Sequence, residues 1–217
     1  MNKAIVVANG TLEMGVAVEL VLAVAAEAYV IGADGGAMIA RDLGLMPHLV
    51  IGDFDSISPA DLEAFAEQGI TTQRYPAAKD ETDLELALLA AVERGATWIR
   101  ILAALGNRLD QSLANIYLLS LPQLKGRDVR LVAGKQTAWL AEAGQHYLSG
   151  QVGDTISLLP FGGPCHHIRT HDLAYPLADE SLTLGPARGI SNVITGPHPM
   201  VEFTDGVLLV VHTVGRA

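Results

Sequence analysis

Carboxylates, glycines and an arginine recur where apolar runs end in this chain. Gly52-Asp53-Phe54-Asp55-Ser56 follows the buried-strand pattern Leu49-Val50-Ile51. On extended backbone, two carboxylates two positions apart point to the same side. Like charges held together suit a cation between them, although such a pair in isolation also describes a solvated acidic loop. Asp34-Gly35-Gly36 follows the run Tyr29–Ile31 and precedes a helical stretch. Two glycines there let backbone approach a phosphate, and a helix N-terminus offers free N–H groups; a plain strand-to-helix turn has the same composition. Lys79-Asp80-Glu81-Thr82-Asp83 opens a later helix, where Asp83 is either a ligand or a first-turn carboxylate favoured by the helix dipole. Gly106-Asn107-Arg108-Leu109-Asp110-Gln111 follows the run Trp98–Leu102. Arg108 there is a phosphate clamp or the partner of Asp110 in a surface ion pair. Four such segments at four strand ends describe a site for a polyphosphate and a divalent metal, with magnesium suited to a few carboxylates plus phosphate oxygens.

The elements that must position these segments alternate. Apolar, β-branched runs at 3–8, 29–31, 49–51, 98–102 and 128–132 read as strands, and 70–75 as a further one. Between them, helical stretches are expected at about 13–26, 37–43, 59–68, from Thr82 onward, and within 107–120. Ser58 before Pro59 and the spacing Thr82–Glu85 are helix-start signals, and Leu109, Leu113, Ile116 and Tyr117 share one face of the last helix. Strand–helix alternation predicts a mostly parallel sheet with helices on both faces.

The texture changes near Gly134. Beyond it, short runs at 136–140, 146–148, 155–159, 165–170, 181–184, 200–203 and 207–212 are separated by Gly, Pro and Asp. This predicts a smaller all-β sandwich or partial barrel, so the expected domains are residues 1–134, α/β, and 135–217, all-β. His166, His167 and His171 look like a metal cluster. On a regular strand, however, neighbours face opposite sides and residues four apart lie about 13 Å from each other. Trp139 reads as core.

Composition narrows the function classes. The net charge is −10 with 14 Lys+Arg, and no basic stripe suits sequence-independent binding of nucleic acid. The single cysteine, Cys165, excludes an internal disulfide and a cysteine zinc cluster and reads as a buried thiol. The N-terminal apolar run is short for a signal peptide, and Glu19 and Glu27 interrupt the run from Val16 to Ala28, so a soluble cytoplasmic protein without a membrane span is expected. Gly134-Lys135 lacks the remainder of a Walker loop, and no three-glycine dinucleotide fingerprint occurs.

The chain resembles the thiamine pyrophosphokinase (thiamine diphosphokinase) family. The resemblance rests on Ala33-Asp34-Gly35-Gly36-Ala37, Gly52-Asp53-Phe54-Asp55-Ser56, Asp80-Glu81-Thr82-Asp83-Leu84, Gly106-Asn107-Arg108-Leu109-Asp110-Gln111 and Gly189-Ile190-Ser191-Asn192, which together span about residues 3–212. It implies transfer of the pyrophosphoryl group of ATP to the thiamine hydroxyl, giving thiamine diphosphate and AMP, with Mg2+. It further implies Asp53, Asp55 and Asp83 as the catalytic, metal-holding carboxylates. Asp34, Gly35, Gly36, Arg108, Asp110 and Gln111 would surround the nucleotide, and Ser191 and Asn192 would meet the thiamine pyrimidine. A homodimer, with thiamine between the first domain of one chain and the second of its partner, is implied in the same way. The family often has glycine where Ala103 and Asn107 stand, and many bacterial members have histidine at the position of Gln111.

Two other readings share part of this pattern. A metal-dependent phosphohydrolase uses Asp-x-Asp, but with its nucleophile directly after a strand, whereas Gly52 intervenes here. A non-catalytic nucleotide or thiamine binding module would not need Asp53, Asp55, Asp83 and Arg108 all intact.

Overall fold

Lys3–Val7 forms strand β1, whose Ile5, Val6 and Val7 are wholly buried. In the computed structural model, which describes residues 2–216, β1 lies inside a parallel sheet. Its neighbours are β2 (Ala28–Ala33), β3 (Leu49–Gly52), β4 (Thr71–Arg74), β5 (Trp98–Leu102) and β6 (Asp128–Ala133), in the order β6-β5-β1-β2-β3-β4. The chain moves outward from β1 to β4 and then returns to β5 on the other side of β1. That reversal opens a crevice at the carboxyl ends of β1 and β5, where ligands of open α/β sheets bind.

The helices are α1 (Val16–Leu22), α2 (Gly36–Asp42), α3 (Pro59–Glu67), α4 (Asp83–Glu93) and α5 (Leu109–Tyr117). Ala17, Val18 and Val21 of α1 and Ala40 of α2 pack with Ile5, Val7, Val30 and Leu102. Strand alternation turns Val6, Ile31 and Ile51 to the opposite face, where α4 lies across β1, β2 and β3. Ser58 and Thr82 cap α3 and α4 by accepting from the N–H groups of Asp61 and Glu85.

Three local features depart from the sequence pattern. Helix α1 begins at Val16 rather than near residue 13. Glu13 O accepts from Gly134 N–H, and a Cβ on Gly15 would lie 2.6 Å from the Gly134 carbonyl carbon, so the chain there stays extended. Strand β4 is exposed along its whole length, and its sequence Thr-Thr-Gln-Arg suits a polar sheet edge. On α5 the apolar face is not buried: Leu109, Leu113 and Tyr117 are exposed, whereas Asn115 is buried.

The chain divides at Gly134 into compact units Met1–Gly134 and Lys135–Ala217. The second unit is antiparallel and comprises β7 (Gln136–Tyr147), β8 (Thr155–Pro160), β9 (Cys165–His171), β10 (Ala178–Leu182), β11 (Asn192–Val193) and β12 (Met200–Thr213). The runs expected separately at 136–140 and 146–148 are one strand, as are those at 200–203 and 207–212. The break between the latter pair is a bulge, with Phe203 opposite Gly144 and Val207 opposite Glu142. Gly206 sits in this bulge at φ 92°, and a Cβ there would lie 2.6 Å from the Pro164 carbonyl oxygen. Before the bulge β12 pairs with β9; after it, with β8. Both halves enclose one core of Ile156, Leu158, Ile168, Val201, Leu208 and Val210, with Trp139 packed against it. Cys165 is buried in the same core, donates to Val207 O, and has its thiol pKa pushed up by burial. His166 and His167 pair separately, with Ser181 and Asp179.

Asp154 ties the ends of this unit together. It accepts from the N–H groups of Gln151 and Gly215 and pairs with His212 Nε2 at 2.8 Å. Burial raises its pKa, but these bonds outweigh burial and hold the carboxyl below the usual range. Its stabilising effect is therefore present above the unfolded-state pKa and is lost as pH falls through the lower folded-state value. Asp154→Ala should destabilise the β unit by about 2 kcal/mol near neutral pH, with the deficit shrinking in acid; urea melts across pH 3–7 measure this.

Candidate active site

A cavity of about 670 Å³ opens at the carboxyl end of the parallel sheet. The turns after β1, β2, β3 and β5 and the start of α4 line it, through Asn9, Asp34, Asp55, Asp83, Arg108 and Gln111 among others. Within this region, carboxylate oxygens of Asp34, Asp53 and Asp83 all lie within 4.8 Å of one another. Asp34 is 5% exposed, and its Oδ1 is buried without a hydrogen-bond partner; its Oδ2 has only a long contact, 3.5 Å, from Asn9 Nδ2. Asp83 Oδ1 is also buried without a directed hydrogen bond, and Lys79 Nζ lies 3.0 Å away as an ion pair. Burial pushes the Asp83 carboxyl pKa up, Lys79 pulls it down, and Asp53 and Asp34 push it up further. Orphaned buried oxygens among clustered like charges fit a bound divalent cation.

Local backbone explains why these three carboxylates meet. Asp34 (φ 47°) and Phe54 (φ 67°) both take the left-handed conformation. The turn at Phe54 means that Asp53 and Asp55 do not sit on an extended strand. Asp53 turns to Asp34 and Asp83, whereas Asp55 stays exposed at the cavity lip, where its Oδ1 accepts from Ser56 Oγ–H. The Asp53 turn is held by Asp55 N–H donating to Asp53 Oδ1 and by Arg74 donating to Asp53 O at 2.9 Å while covering the buried Phe54 ring. A Cβ on Gly52 would come within 3.1 Å of Asp34 Cβ and Asp83 Cγ, so the absence of a side chain at Gly52 leaves room for the carboxylates.

Gly35 and Gly36 are used for packing. A Cβ on Gly36 would lie 2.0 Å from Val7 O, and one on Gly35 would lie 2.5 Å from the Asn9 side chain; both glycines are buried, and the cavity wall here is Ala33 and Asp34. Arg108 and Asp110 form an exposed ion pair at 2.5 Å, which raises the arginine pKa and lowers that of the carboxyl through their hydrogen bond. Composition did not point to several other cavity residues. Buried Asn115 donates from Nδ2 to Ala104 O at 2.7 Å, Ser112 Oγ accepts from Gly106 N–H, and the N–H groups of Gly10 and Thr11 donate to Ala103 O and Leu105 O. These bonds shape the 103–106 turn, in which Ala103 holds φ 52°, a conformation that glycine adopts without strain. The Asn9-Gly10 turn pair at the end of β1 was their sequence signal.

In the second unit, Ser191 is exposed at φ 55°, and its N–H donates to Ser157 Oγ. Asn192 is buried. Its Oδ1 accepts from Tyr175 N–H and Val193 N–H, and its Nδ2 donates to Tyr175 O at 2.7 Å. Most of the Asn192 amide is therefore spent on shaping the turn beside Ser191. Gly189 makes the same turn possible, because a Cβ there would lie 2.1 Å from Leu158 O.

An open parallel sheet thus carries a carboxylate cluster at the ends of β2 and β3 and the start of α4, and an antiparallel β unit follows it in the chain. The family model for the thiamin pyrophosphokinase catalytic domain matches residues 21–131, and that for the thiamin pyrophosphokinase vitamin B1 binding domain matches residues 145–208. The thiamine pyrophosphokinase of Bacillus subtilis (strain 168) is 30% identical over 184 residues, covering 84% of this chain and 86% of that protein. A crystal structure of the thiamine pyrophosphokinase from Bacillus subtilis is similar to this chain with a TM-score of 0.86 at 27% identity, covering 98% of this chain and 99% of that one. The yeast thiamin pyrophosphokinase structure shares the fold at 15% identity, with a TM-score of 0.81 over 98% of this chain and 86% of that one. The chain belongs to the thiamin pyrophosphokinase family and is an enzyme of the transferase class.

The raised pKa of Asp83 has a definite sign for stability. The folded state holds the Asp83 proton more tightly than the unfolded chain, so stability falls as pH rises from the unfolded value through the folded one. Asp83→Asn should therefore raise the metal-free melting temperature at neutral pH by about 2–4 °C, the response of a chain this size to roughly 1 kcal/mol, and the gain should vanish near pH 3. Calorimetry in chelator at both pH values tests this.

Proposed function

We propose that the cavity binds ATP and a divalent cation, and that the enzyme transfers the pyrophosphoryl group to the hydroxyl of thiamine, releasing AMP. The observation that carries this reading is the orphaned, buried Asp34 oxygen facing Asp53 and Asp83 in a chain of this family. Asp34, Asp53 and Asp83 would hold Mg2+, a cation suited to a few carboxylates and several phosphate oxygens. When bound, it would neutralise charge on the polyphosphate during transfer.

The chain's own residues supply the positioning. The 104–108 turn, kept in shape by Asn115 and Ser112, borders the space for the nucleotide. Arg108 would exchange its exposed Asp110 partner for phosphate oxygens, and Gln111 lines the same wall. Asp55 at the lip adds negative charge that favours a cation-bound nucleotide and the positive ring of thiamine. Residues 1–134 would carry the nucleotide and metal, and residues 135–217 would carry thiamine through the exposed turn at Ser191 that Asn192 braces. Holding the thiamine hydroxyl in line with the β-phosphorus supplies much of the rate, because this chemistry asks for orientation and charge neutralisation. ATP as donor fits a cytoplasmic location.

A homodimer is part of the same reading. The exposed stripe of Leu109, Leu113 and Tyr117 on α5 is a face that a second copy would cover. Light scattering should give twice the 22.9 kDa chain mass, and a monomer at micromolar concentration would overturn the dimer.

Incubation with ATP, Mg2+ and thiamine should yield AMP and thiamine diphosphate in equal amounts. ADP or free phosphate as the nucleotide-derived product would overturn the reaction assigned. Asp53→Asn and Asp83→Asn should each lower kcat at least roughly 100-fold, with a smaller loss for Asp55→Asn because it lies outside the buried group.

A further inference from the structure

Lys79 stands four residues before Asp83, ahead of the α4 N-cap. Its side chain is 11% exposed, an uncommon burial for an ammonium unless it is paired. Nζ lies 3.0 Å from Asp83 Oδ1 and donates to Pro76 O at 3.2 Å, while the residue lines the cavity. The other nearby cations are engaged elsewhere: Arg74 donates to Asp53 O and covers Phe54, and Arg108 pairs with Asp110. Among the described residues, Lys79 is the cation in ion-pair contact with the carboxylate group.

Resting on the reading of Asp34, Asp53 and Asp83 as a metal site, we propose that Lys79 is the resident counter-cation of that site and exchanges with the metal on Asp83 Oδ1. Three carboxylates cannot stay together in a partly buried pocket without compensating charge. One ammonium leaves the unloaded cluster with two uncompensated negative charges, which attract a divalent cation. The oxygen that Lys79 faces is buried and the ammonium lies 3.0 Å from it, so a metal reaching that oxygen has to displace Lys79. Metal and ammonium compete for this atom. Displaced from Asp83 Oδ1 by a bound metal, the Lys79 ammonium would remain in the cavity that the residue lines, where a polyphosphate would accept its charge. Lys79 thus holds Asp83 in place before loading and becomes a phosphate contact after it.

The test uses the full chain with Lys79→Met, which removes the charge at similar length, and Lys79→Arg, which keeps it. In chelator, Lys79→Met should melt lower than wild type. Titrated with Mg2+ alone and read by thermal shift, it should reach half-maximal stabilisation at about tenfold lower Mg2+, because a positive charge beside the site is gone. With ATP and thiamine, its kcat/KM for ATP should fall about tenfold or more, and Lys79→Arg should recover most of both properties. Tighter metal binding together with weaker nucleotide use is not what a merely loosened fold produces. A Mg2+ midpoint in Lys79→Met that is unchanged or higher overturns the competition, and unchanged ATP kinetics overturn the transfer to phosphate. If wild type itself shows no Mg2+-dependent stabilisation, the metal-site reading fails and the proposal falls with it. A normal wild-type response with an unaltered Lys79→Met variant overturns the proposal alone.

Discussion

Repulsion among three carboxylates is the constraint around which the first unit is arranged. Asp34 leaves the end of β2, Asp53 follows β3, and Asp83 opens α4, so the group exists only because the sheet brings three connections to one place. The cluster needs room, which the missing side chain of Gly52 supplies. It needs unusual backbone, which Asp34 and Phe54 supply with left-handed conformations. It also needs positive charge, which Lys79 supplies directly and Arg74 supports by holding the Asp53 turn. Strain and repulsion are concentrated at the carboxylate cluster, while the sheet beneath is packed from fully buried aliphatic residues.

The second unit meets a different demand. Among the described residues it has no helix to cover a sheet, so it encloses a core by bending β12 and changing that strand's partner at the Asp205-Gly206 bulge. Its polar buried groups are consequently brackets. Asp154 fastens Gln151, Gly215 and His212, and Asn192 fastens Tyr175 and Val193. Asn192 thereby braces the exposed turn at Ser191 from behind, so its effect on that turn comes through the shape it imposes.

Strand runs in the first unit were legible because a parallel strand buried on both faces is a continuous apolar run: β3 and β5 match theirs closely, and β1 ends one residue before its expected run 3–8. Helix starts at Ser58 and Thr82 were legible because capping is local. Helix α1 was misjudged at its start because the contact that keeps residues 13–15 extended comes from Gly134, far along the chain. Separate short strands were expected in the second unit because a bulge and a turn have the same Gly and Asp composition; only pairing with β7 shows that β12 continues. The amphipathic pattern of α5 was visible, but a stripe of Leu and Tyr does not say whether its own chain or another molecule covers it.

By itself the sequence determined the alternating α/β unit, the β unit after it, the family, and the four segments that border the cavity. Each of these rests on local composition and order. Tertiary structure decided which residues of those segments meet. It placed Asp34 with Asp53 and Asp83 and left Asp55 at the lip, because a left-handed Phe54 breaks the two-residue alternation on which the Asp-x-Asp reading depended. It set Gly36 against Val7 at the end of β1 and Gly35 against the Asn9 side chain, close approaches that leave no room for a Cβ at either position. It also placed Lys79 against Asp83, since whether two residues four apart touch depends on the backbone between them, and here that backbone turns into the first residue of a helix.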